Sequence, residues 1–487
     1  MGASFEVRDI RGEESVLGPK WSAIYSGGVK FESEHFLTAM MNIIRQPNVN
    51  STVIMRADIL REERLDRDTG EFVLVSEDNS DIDHTSMPLS HRLDDVTPRR
   101  IDTTLDLPLT ACIVRRIIPR NPRRDPVVIQ TCLVYSSDEM TVVAYVPHIS
   151  APENCPYYLP PAKAVAVIYR AHEISVHYIP FDEEPGQMTQ VETTERPIRI
   201  ALRLLQTANK HSQGVMDGYQ KRVYHDVVVD KVSFQDRYIV LKQKYAQELT
   251  ANWVESTDPK KHVFEDLAIA AFLVELWKQM YDSKDSFTFL DLGCGNGLLV
   301  HILLLEGYRG IGVDARARKS WKTYPQACQD NLKEQVVIPK ELIDSENQDL
   351  LEDPMVNTLD LSPNTFIIGN HSDELTLWVP LIGCPFMVIP CCSHALSGAK
   401  HRFPAKCPEN KSTYASLVDH VQDISTDAGW KVEKERLRIP STRNAALIGR
   451  FRQEPRLSVP EILAKEGGAE GWIQRAKALR GKSPRSH

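Results

Sequence analysis

Three glycines at alternate positions follow a short apolar segment and form the clearest chemical motif in the chain. Residues 289–297 read FLDLGCGNG, so Gly293, Gly295 and Gly297 stand directly before an apolar stretch with helical spacing. Glycines let the backbone turn tightly and approach a ligand with no Cβ in the way, and the N-terminus of a helix presents free N–H groups. Asp314 ends the next apolar segment, GIGVD, where a carboxylate can bind the ribose hydroxyls of a nucleoside. The pattern predicts a nucleoside cofactor at this loop.

The spacing of the glycines and the acid beside them indicate which cofactor this is. The dinucleotide fingerprint has its third glycine three residues after the second, but here Leu298 holds that position and the third glycine is Gly297. Asp291, near the end of the apolar segment, would repel phosphates and favour a cation. S-adenosylmethionine (SAM) carries a sulfonium and an amino group, so we predict SAM. A dinucleotide site, or a fold that has lost its cofactor, is the alternative.

A second polar cluster follows a later predicted strand, in the sequence IGNHSDE over 368–374. Ligands of parallel sheets bind beyond the carboxyl ends of the strands, so this cluster should face the methyl acceptor. Asn370 could hold the acceptor or the cofactor amine, and His371 or Asp373 could accept a proton. The alternative is that Ser372 and Asp373 only cap the following helix.

Two adjacent cysteines raise the question of a metal. Cys391 and Cys392 are followed by His394, His401 and Cys407, but this spacing matches no common zinc-binding pattern. Adjacent cysteines at the end of a strand are more often packed thiols. We therefore expect no metal.

Strand and helix patterns alternate in the part of the chain that carries these motifs, which favours an α/β fold with a parallel sheet. The predicted strands are 287–292, 308–314, 336–343, 365–370, 385–391, 432–439 and 445–450. The predicted helices are 297–306, 317–331, 373–382 and 413–429.

The whole chain divides into four predicted regions. Residues 1–200 read as a β-rich α+β domain with a charged surface loop over 62–98. Residues 201–285 read as a helical connector that packs on the catalytic domain, 286–452 as the SAM-binding domain, and 453–487 as a basic tail with one short helix over 460–465.

Composition and charge restrict the class of protein. The 487 residues are 42% hydrophobic and 25% charged, as in ordinary globular proteins, and no apolar run approaches the roughly 20 residues that cross a bilayer. Nine cysteines and no apolar leader predict reduced thiols in a cytosolic or nuclear compartment. Of the two, we expect a cytoplasmic location. The net charge is −8, yet 391–487 holds 18 Lys and Arg against 10 Asp and Glu. This basic region and the segment PRNPRRD over 119–125 are either RNA-docking surfaces or merely solvated ones. Arg115 and Arg116, just before that segment, are further candidates for contacts to RNA phosphates.

Several longer blocks resemble one family. TDPKKHVFEDLAIAAFLVELW, DLGCGNGLLVHIL, GIGVDARARKSW, GNHSDELTLWVPLI, VIPCCSH and RNAALIG occur in this order between residues 219 and 449. They resemble the eukaryotic tRNA(Ser) uridine-44 2′-O-methyltransferases, and VRRIIPRNPRRD and VIQTC extend the likeness into the N-terminal half.

The resemblance implies a class I SAM-dependent methyltransferase, with a Rossmann-like, mostly parallel seven-stranded sheet, that methylates the ribose 2′-hydroxyl of a uridine in tRNA, expected to be tRNA(Ser). Carried over to this chain, the SAM contacts are Asp291, Gly293, Gly295, Gly297 and Asp314, with Asn370 as a further contact. For the proton we take Asp373 first and His371 second as catalytic residues. An accessory protein is possible but not indicated. The alternatives are a methyltransferase acting on another RNA position or on a protein side chain, and a non-catalytic scaffold.

Overall fold

The computed structural model describes residues 5–66, 68–77, 97–101, 103–182, 185–219, 225–406 and 412–479. The chain forms two compact units, Met1–Lys221 and Arg222–His487. The boundary therefore lies about one helix beyond the predicted one at residue 200, and the predicted connector over 201–285 is shared between the units. No helix among the described residues combines the length and apolar character that a membrane span needs.

The first unit is a nine-stranded antiparallel sheet with two long helices. The strands are β1 (Arg8–Asp9), β2 (Ser22–Gly28), β3 (Ile54–Leu65), β4 (Phe72–Glu77), β5 (Leu109–Pro119), β6 (Val128–Ser136), β7 (Met140–Pro147), β8 (Ala164–Arg170) and β9 (Glu173–Ile179), in the order β1-β2-β9-β8-β7-β6-β5-β3-β4. Helices α1 (Ser33–Arg45) and α2 (Arg196–Met216) share a core with the sheet, in which Phe36, Ile43 and Leu205 pack with Val167 and Val176. The sequence prediction of a β-rich α+β unit is confirmed.

The prediction of a loop over 62–98 is wrong at its start, because β3 continues to Leu65 and β4 begins at Phe72. Charged side chains at the end of β3 are paired along the strand and with helix α1. Arg61 lies 2.6 Å from Glu63, and Glu62 accepts a hydrogen bond of 2.8 Å from Arg45 of α1. Residues 67 and 78–96 lie outside the described residues.

The second unit contains a seven-stranded sheet flanked by helices. Its elements are α3 (Lys231–Ala251), α4 (Pro259–Met280), β10 (Thr288–Leu292), α5 (Leu298–Leu305), β11 (Gly310–Asp314), α6 (Gln326–Gln329), β12 (Leu332–Glu334), β13 (Val336–Val337), β14 (Val356–Asn357), β15 (Thr365–Asn370), β16 (Phe386–Ile389), α7 (Thr413–Asp427), β17 (Trp430–Arg436), β18 (Ala445–Arg452), α8 (Val459–Lys465) and α9 (Trp472–Leu479). The order is β12-β11-β10-β15-β16-β18-β17, with β13 and β14 paired separately. Only β18 runs opposite to the other six strands of this sheet, so the expected mostly parallel sheet is confirmed.

Helix α4 covers one face of this sheet. Its residues from Leu267 to Trp277 are all buried, and the Trp277 ring stacks on Phe289 of β10 and meets Phe366 of β15 edge-on. Burying one such side chain contributes about 2–3 kcal/mol, so the apolar run of α4 fixes this helix against the two central strands.

Three predicted elements of this unit are shorter or more broken in the structure. A proline interrupts the predicted element, or the chain turns before its predicted end. The helix predicted over 317–331 is a 3₁₀ turn, Lys319–Thr323, followed after Pro325 by the short α6. The helix over 373–382 is two 3₁₀ turns, the second of which contains Pro380. The strand over 336–343 keeps only the two residues of β13.

Within the region predicted as a basic tail over 453–487, the short helix predicted over 460–465 is confirmed as α8, but the region is not a tail as far as Leu479. Helices α8 and α9 pack on the second unit, where Ile462, Trp472 and Ala476 join its core. The Trp472 indole N–H donates to the carbonyl of Val337 at 3.0 Å. Residues 480–487 lie outside the described residues.

Candidate active site

The predicted site residues meet at one edge of the seven-stranded sheet. From β10 the chain moves outward through β11 and β12, then crosses back to β15 on the other side of β10. The strand order thus reverses between β10 and β15, and a crevice forms beyond the carboxyl ends of the strands at such a point. The glycine loop follows β10, Asp314 ends β11, and Asn370 ends β15.

The three glycines of the loop all have left-handed backbones, with φ of 75° at Gly293, 54° at Gly295 and 74° at Gly297. A Cβ on Gly293 would lie 3.4 Å from Ser372, and one on Gly297 would lie 3.0 Å from Leu332. A Cβ on Gly295 would meet no heavy atom of the described residues within 4 Å. Two glycines therefore allow close packing of the loop, while Gly295 borders open space in the crevice.

Asp314 ties the glycine loop to the neighbouring strand. Its carboxylate accepts the backbone N–H of Gly295 at 3.0 Å and that of Arg316 at 3.1 Å. Burial raises the pKa of Asp314, while Arg318 and these N–H groups oppose the rise. Each carboxylate oxygen retains capacity for another donor, which fits a ribose diol.

Aromatic side chains that the sequence analysis missed support the outer side of the loop. The Trp321 indole N–H donates to the carbonyl of Gly295 at 2.9 Å, and the Tyr324 hydroxyl donates to that of Asn296 at 3.1 Å. Both residues lie in the segment predicted as one helix. Only the break at Pro325 could have suggested that this segment turns back to the loop.

Buried acids converge on the inner side of the crevice. Asp291 of β10 is 1% exposed, and its Oδ1 has no hydrogen-bond partner among the described residues. Burial, with the charges of Asp266 and Asp314, holds the pKa of Asp291 well above its ordinary value. Asp266, from α4, has its pKa raised to about 8, chiefly by burial and then by Glu265.

Asn370 connects these acids to β15. Its side-chain amide donates to Asp266 Oδ1 at 3.3 Å, and its own Oδ1 is buried without a partner among the described residues. Buried acceptors without donors are costly, and an ammonium group offers three donors and a positive charge. The acid-rich donor set therefore fits the amino group of SAM and does not fit a phosphate.

Glu265 and Asp266 are two more site residues that sequence reasoning missed. They occur in FEDLAIAAF, the apolar centre of α4, and both are buried. Two adjacent carboxylates at the start of the apolar run of this helix were the available signal, since such groups are rarely buried without a partner.

The acceptor side of the crevice contains His371 and Asp373. His371 Nε2 lies 3.1 Å from Glu265 Oε1, and its buried Nδ1 has no partner among the described residues. Asp373 Oδ1 accepts a hydrogen bond of 3.0 Å from the Cys391 thiol. Both backbones have positive φ, 53° and 45°. The alternative in which Ser372 caps a helix is wrong, because its side chain makes no cap hydrogen bond.

Those cysteine and histidine residues of the second motif that the structure describes do not form one cluster. Cys391 and Cys392 lie beside Asp373, whereas His394 is buried with its Nε2 4.0 Å from Glu374. The His401 ring contacts Phe403, and Cys407 lies outside the described residues.

Two of the arginines considered for RNA docking are structural. Arg115 is buried and bonds to Gln130 at 2.7 Å, and Arg116 is buried and lies 3.0 Å from Asp58. The prediction that these two arginines contact RNA is therefore wrong. The further candidates Arg120, Arg123 and Arg124 are exposed.

Comparisons with known proteins follow the same two-unit division. Residues 5–222 match the family model of a TRM44-like, N-terminal bet v1-like domain, and residues 228–339 match that of a predicted AdoMet-dependent methyltransferase. A solved citrinin polyketide synthase CMeT domain, with 13% identity and a TM-score of 0.20, is too distant to bear on the fold.

Full-length relatives give the family. A tRNA (uracil-O(2)-)-methyltransferase of Yarrowia lipolytica is 49% identical, covering 99% of this chain and 100% of the relative. A protein of the same name from Debaryomyces hansenii is 45% identical, and the alignment covers 99% of this chain and 98% of that relative. Another from Saccharomyces cerevisiae is 46% identical, and the alignment covers 98% of this chain and 96% of that relative. The resemblance seen in the sequence blocks is confirmed, and the chain belongs to the TRM44-like tRNA (uracil-O(2)-)-methyltransferase family.

Proposed function

We propose that this protein transfers the methyl group of SAM to the ribose 2′-hydroxyl of a uridine in tRNA, and that the target is uridine 44 of tRNA(Ser). The observation that carries the proposal is the identity of 45–49% along almost the whole chain with relatives named tRNA (uracil-O(2)-)-methyltransferase. The crevice chemistry supports it, since the buried acids and the glycine loop suit a cationic nucleoside.

SAM is the cofactor, and each part of the crevice has a proposed role in holding it. Asp314 binds the ribose hydroxyls, and the open space at Gly295 receives the methionyl part. Asp291 and Asn370 accept hydrogen bonds from the amino group, and Asp266 adds its charge. Gly293 and Gly297 keep the loop in its observed shape.

The reaction needs alignment and a proton acceptor. Bound SAM supplies an electrophilic methyl group on a good leaving group, so the main task of the protein is to align the acceptor oxygen behind that carbon. The 2′-hydroxyl is a weak acid, and a base at the acceptor side assists its attack. Asp373 is the first candidate and His371 the second, with Glu265 orienting the His371 ring through the 3.1 Å contact.

Docking of tRNA is proposed on basic surfaces, through Arg120, Arg123, Arg124 and the basic stretch beyond Lys400. Contacts from Arg and Lys to phosphates release counterions, so affinity should fall steeply with salt. We expect tRNA affinity to drop at least tenfold between 50 and 200 mM salt, as about two or more phosphate contacts would give. Affinity that stays level across this range, measured by filter binding, would remove the electrostatic docking surface from the proposal.

The decisive test is nucleoside mass spectrometry of purified tRNA(Ser) from cells with and without this protein. We expect 2′-O-methyluridine to disappear at position 44 and to return when the purified chain and SAM are added to the unmodified tRNA. Methyl transfer to another position or to protein would replace the assignment, and no transfer at all would indicate a scaffold. A cytoplasmic location is proposed as well, and fractionation of cells tests it.

A further inference from the structure

Three side chains of metal-binding type meet at the acceptor side of the crevice. Asp373 follows β15, and Cys391 and Cys392 follow β16. The two strands are parallel neighbours, with Asn370 opposite Ile389, so the segments that follow them leave the sheet at the same edge. One ligand atom from each of the three residues lies within 4.8 Å of the other two.

The distances suit a tetrahedral ion. With bonds of about 2.3 Å to sulfur and 2.0 Å to oxygen, ligand atoms around zinc stand about 3.5 Å (S to O) and 3.8 Å (S to S) apart. Cys391 Sγ is 3.0 Å from Asp373 Oδ1, so that contact needs to lengthen by only about 0.5 Å. All three side chains are half-buried, which leaves a route for an ion from solvent.

The chemistry of the ligands selects the kind of metal. Thiolates favour zinc and other soft or borderline ions, whereas calcium and magnesium prefer oxygen. Two thiolates and a carboxylate carry three negative charges, one more than a divalent ion neutralises. The Arg443 guanidinium lies 3.6 Å from Cys392 Sγ and supplies the remaining positive charge.

We propose that Asp373, Cys391 and Cys392 form a Zn²⁺ site with three protein ligands and a solvent molecule in the fourth position. Zinc sites with an open position are of the catalytic type, because structural sites take four protein ligands. The sequence pointed to no metal because it contains no pair of cysteines at the usual spacing, and because Asp373 joins the cysteines only through the pairing of β15 with β16.

Zinc in this site would change which residue accepts the proton during methyl transfer, a consequence that rests on the proposed function. An ion would engage the Asp373 carboxylate as a ligand, which leaves His371 as the proton acceptor for methyl transfer. The metal site itself does not depend on the acceptor, so its test needs neither tRNA nor SAM.

The test is metal binding by the purified full-length chain. Zinc is measured by mass spectrometry after dialysis against a weak chelator, and Co²⁺ is titrated into the metal-free protein to follow thiolate-to-cobalt charge-transfer absorption. The variants are Cys392→Ser and Asp373→Asn, and the matched control is Cys384→Ser, which removes a buried thiol just before the other end of β16. Thermal melts and SAM calorimetry show that each variant is folded.

We expect one Zn²⁺ per chain and a thiolate–cobalt band in the wild type and in Cys384→Ser. Cys392→Ser should weaken zinc binding at least a hundredfold and reduce the band by about half, while Asp373→Asn should weaken binding at least tenfold and keep the band. Wild-type protein that is folded but shows no cobalt band, or folded site variants with wild-type zinc content, would overturn the proposal. Metal binding without methyl transfer would leave this site standing and refute the proposed function instead.

Discussion

Because Asp266 is buried and has a raised pKa, we predict that SAM binding releases protons. The carboxyl group is buried on α4 beside Asp291, and its pKa is raised to about 8 because burial disfavours the charged form. The positively charged amino group of SAM, placed next to it, favours the carboxylate and lowers that pKa. Binding should therefore drive a proton from Asp266 into solvent.

The size of the effect follows from the pKa. A carboxyl group with a pKa of about 8 is about 90% protonated at pH 7 and about 10% at pH 9. Asp266 should thus release about 0.9 proton per SAM bound at pH 7 and about 0.1 at pH 9. Because the bound state holds fewer protons, SAM affinity should rise with pH up to about 8, by up to tenfold per pH unit.

Calorimetry in buffers with different ionisation enthalpies measures this release directly. Asp291 also has a raised pKa, so the contribution of Asp266 is the difference between the wild type and Asp266→Asn. Methylthioadenosine, which lacks the amino acid part of SAM, is the matched control ligand and should release no proton from this group. If the heat of SAM binding at pH 7 is the same in all buffers, the acids do not face the amino group. If Asp266→Asn releases as many protons as the wild type, the proton does not come from Asp266.

Three further substitutions test the remaining site residues. Gly295→Val should abolish SAM binding by filling the crevice. The control Gly467→Val changes a left-handed glycine that also faces open space, and it should bind SAM normally. Equal SAM affinities of the two variants in calorimetry would contradict the loop assignment. Asp314→Ala should weaken SAM binding by about 1–3 kcal/mol through lost charge-assisted hydrogen bonds, and an unchanged Kd would argue against a ribose contact. Asp373→Asn should keep SAM affinity but lower the single-turnover rate tenfold or more, so an unchanged rate would exclude Asp373 as the base.

The parts of the site that the sequence predicted correctly are those that local chain geometry determines. The glycine loop directly follows β10 and Asp314 ends β11, so a strand, a turn and a helix read in order place them at one edge of the sheet. The structure brings Asp291, Gly293, Gly295, Gly297, Asp314 and Asn370 to this crevice as predicted. Their roles toward SAM stay proposals.

The parts that the sequence could not predict depend on packing between distant segments. Glu265 and Asp266 reach the crevice from α4 because the apolar side of that helix packs on β10 and β15. Two adjacent carboxylates beside an apolar run indicate burial, but they do not indicate which strands the helix contacts. Trp321 was assigned to the wrong element, since its segment folds back on the loop instead of forming a helix. Trp472 was assigned to a tail, although its indole bonds to Val337 in the core. In each case, the partner is far away in sequence, and the local pattern alone was ambiguous.

The buried acids also connect cofactor binding to the stability of the protein. Between about pH 4 and pH 8 the folded chain holds a proton on Asp266 that the unfolded chain has lost, so the free energy of unfolding falls by about 1.4 kcal/mol per pH unit over this range. A leucine or an asparagine at this position would avoid this loss of stability with rising pH. Placing Asp266 beside Asp291, with unpartnered acceptors on Asp291 and Asn370, makes physical sense when a cation binds there, because the ligand then supplies the charge and the donors that the protein lacks.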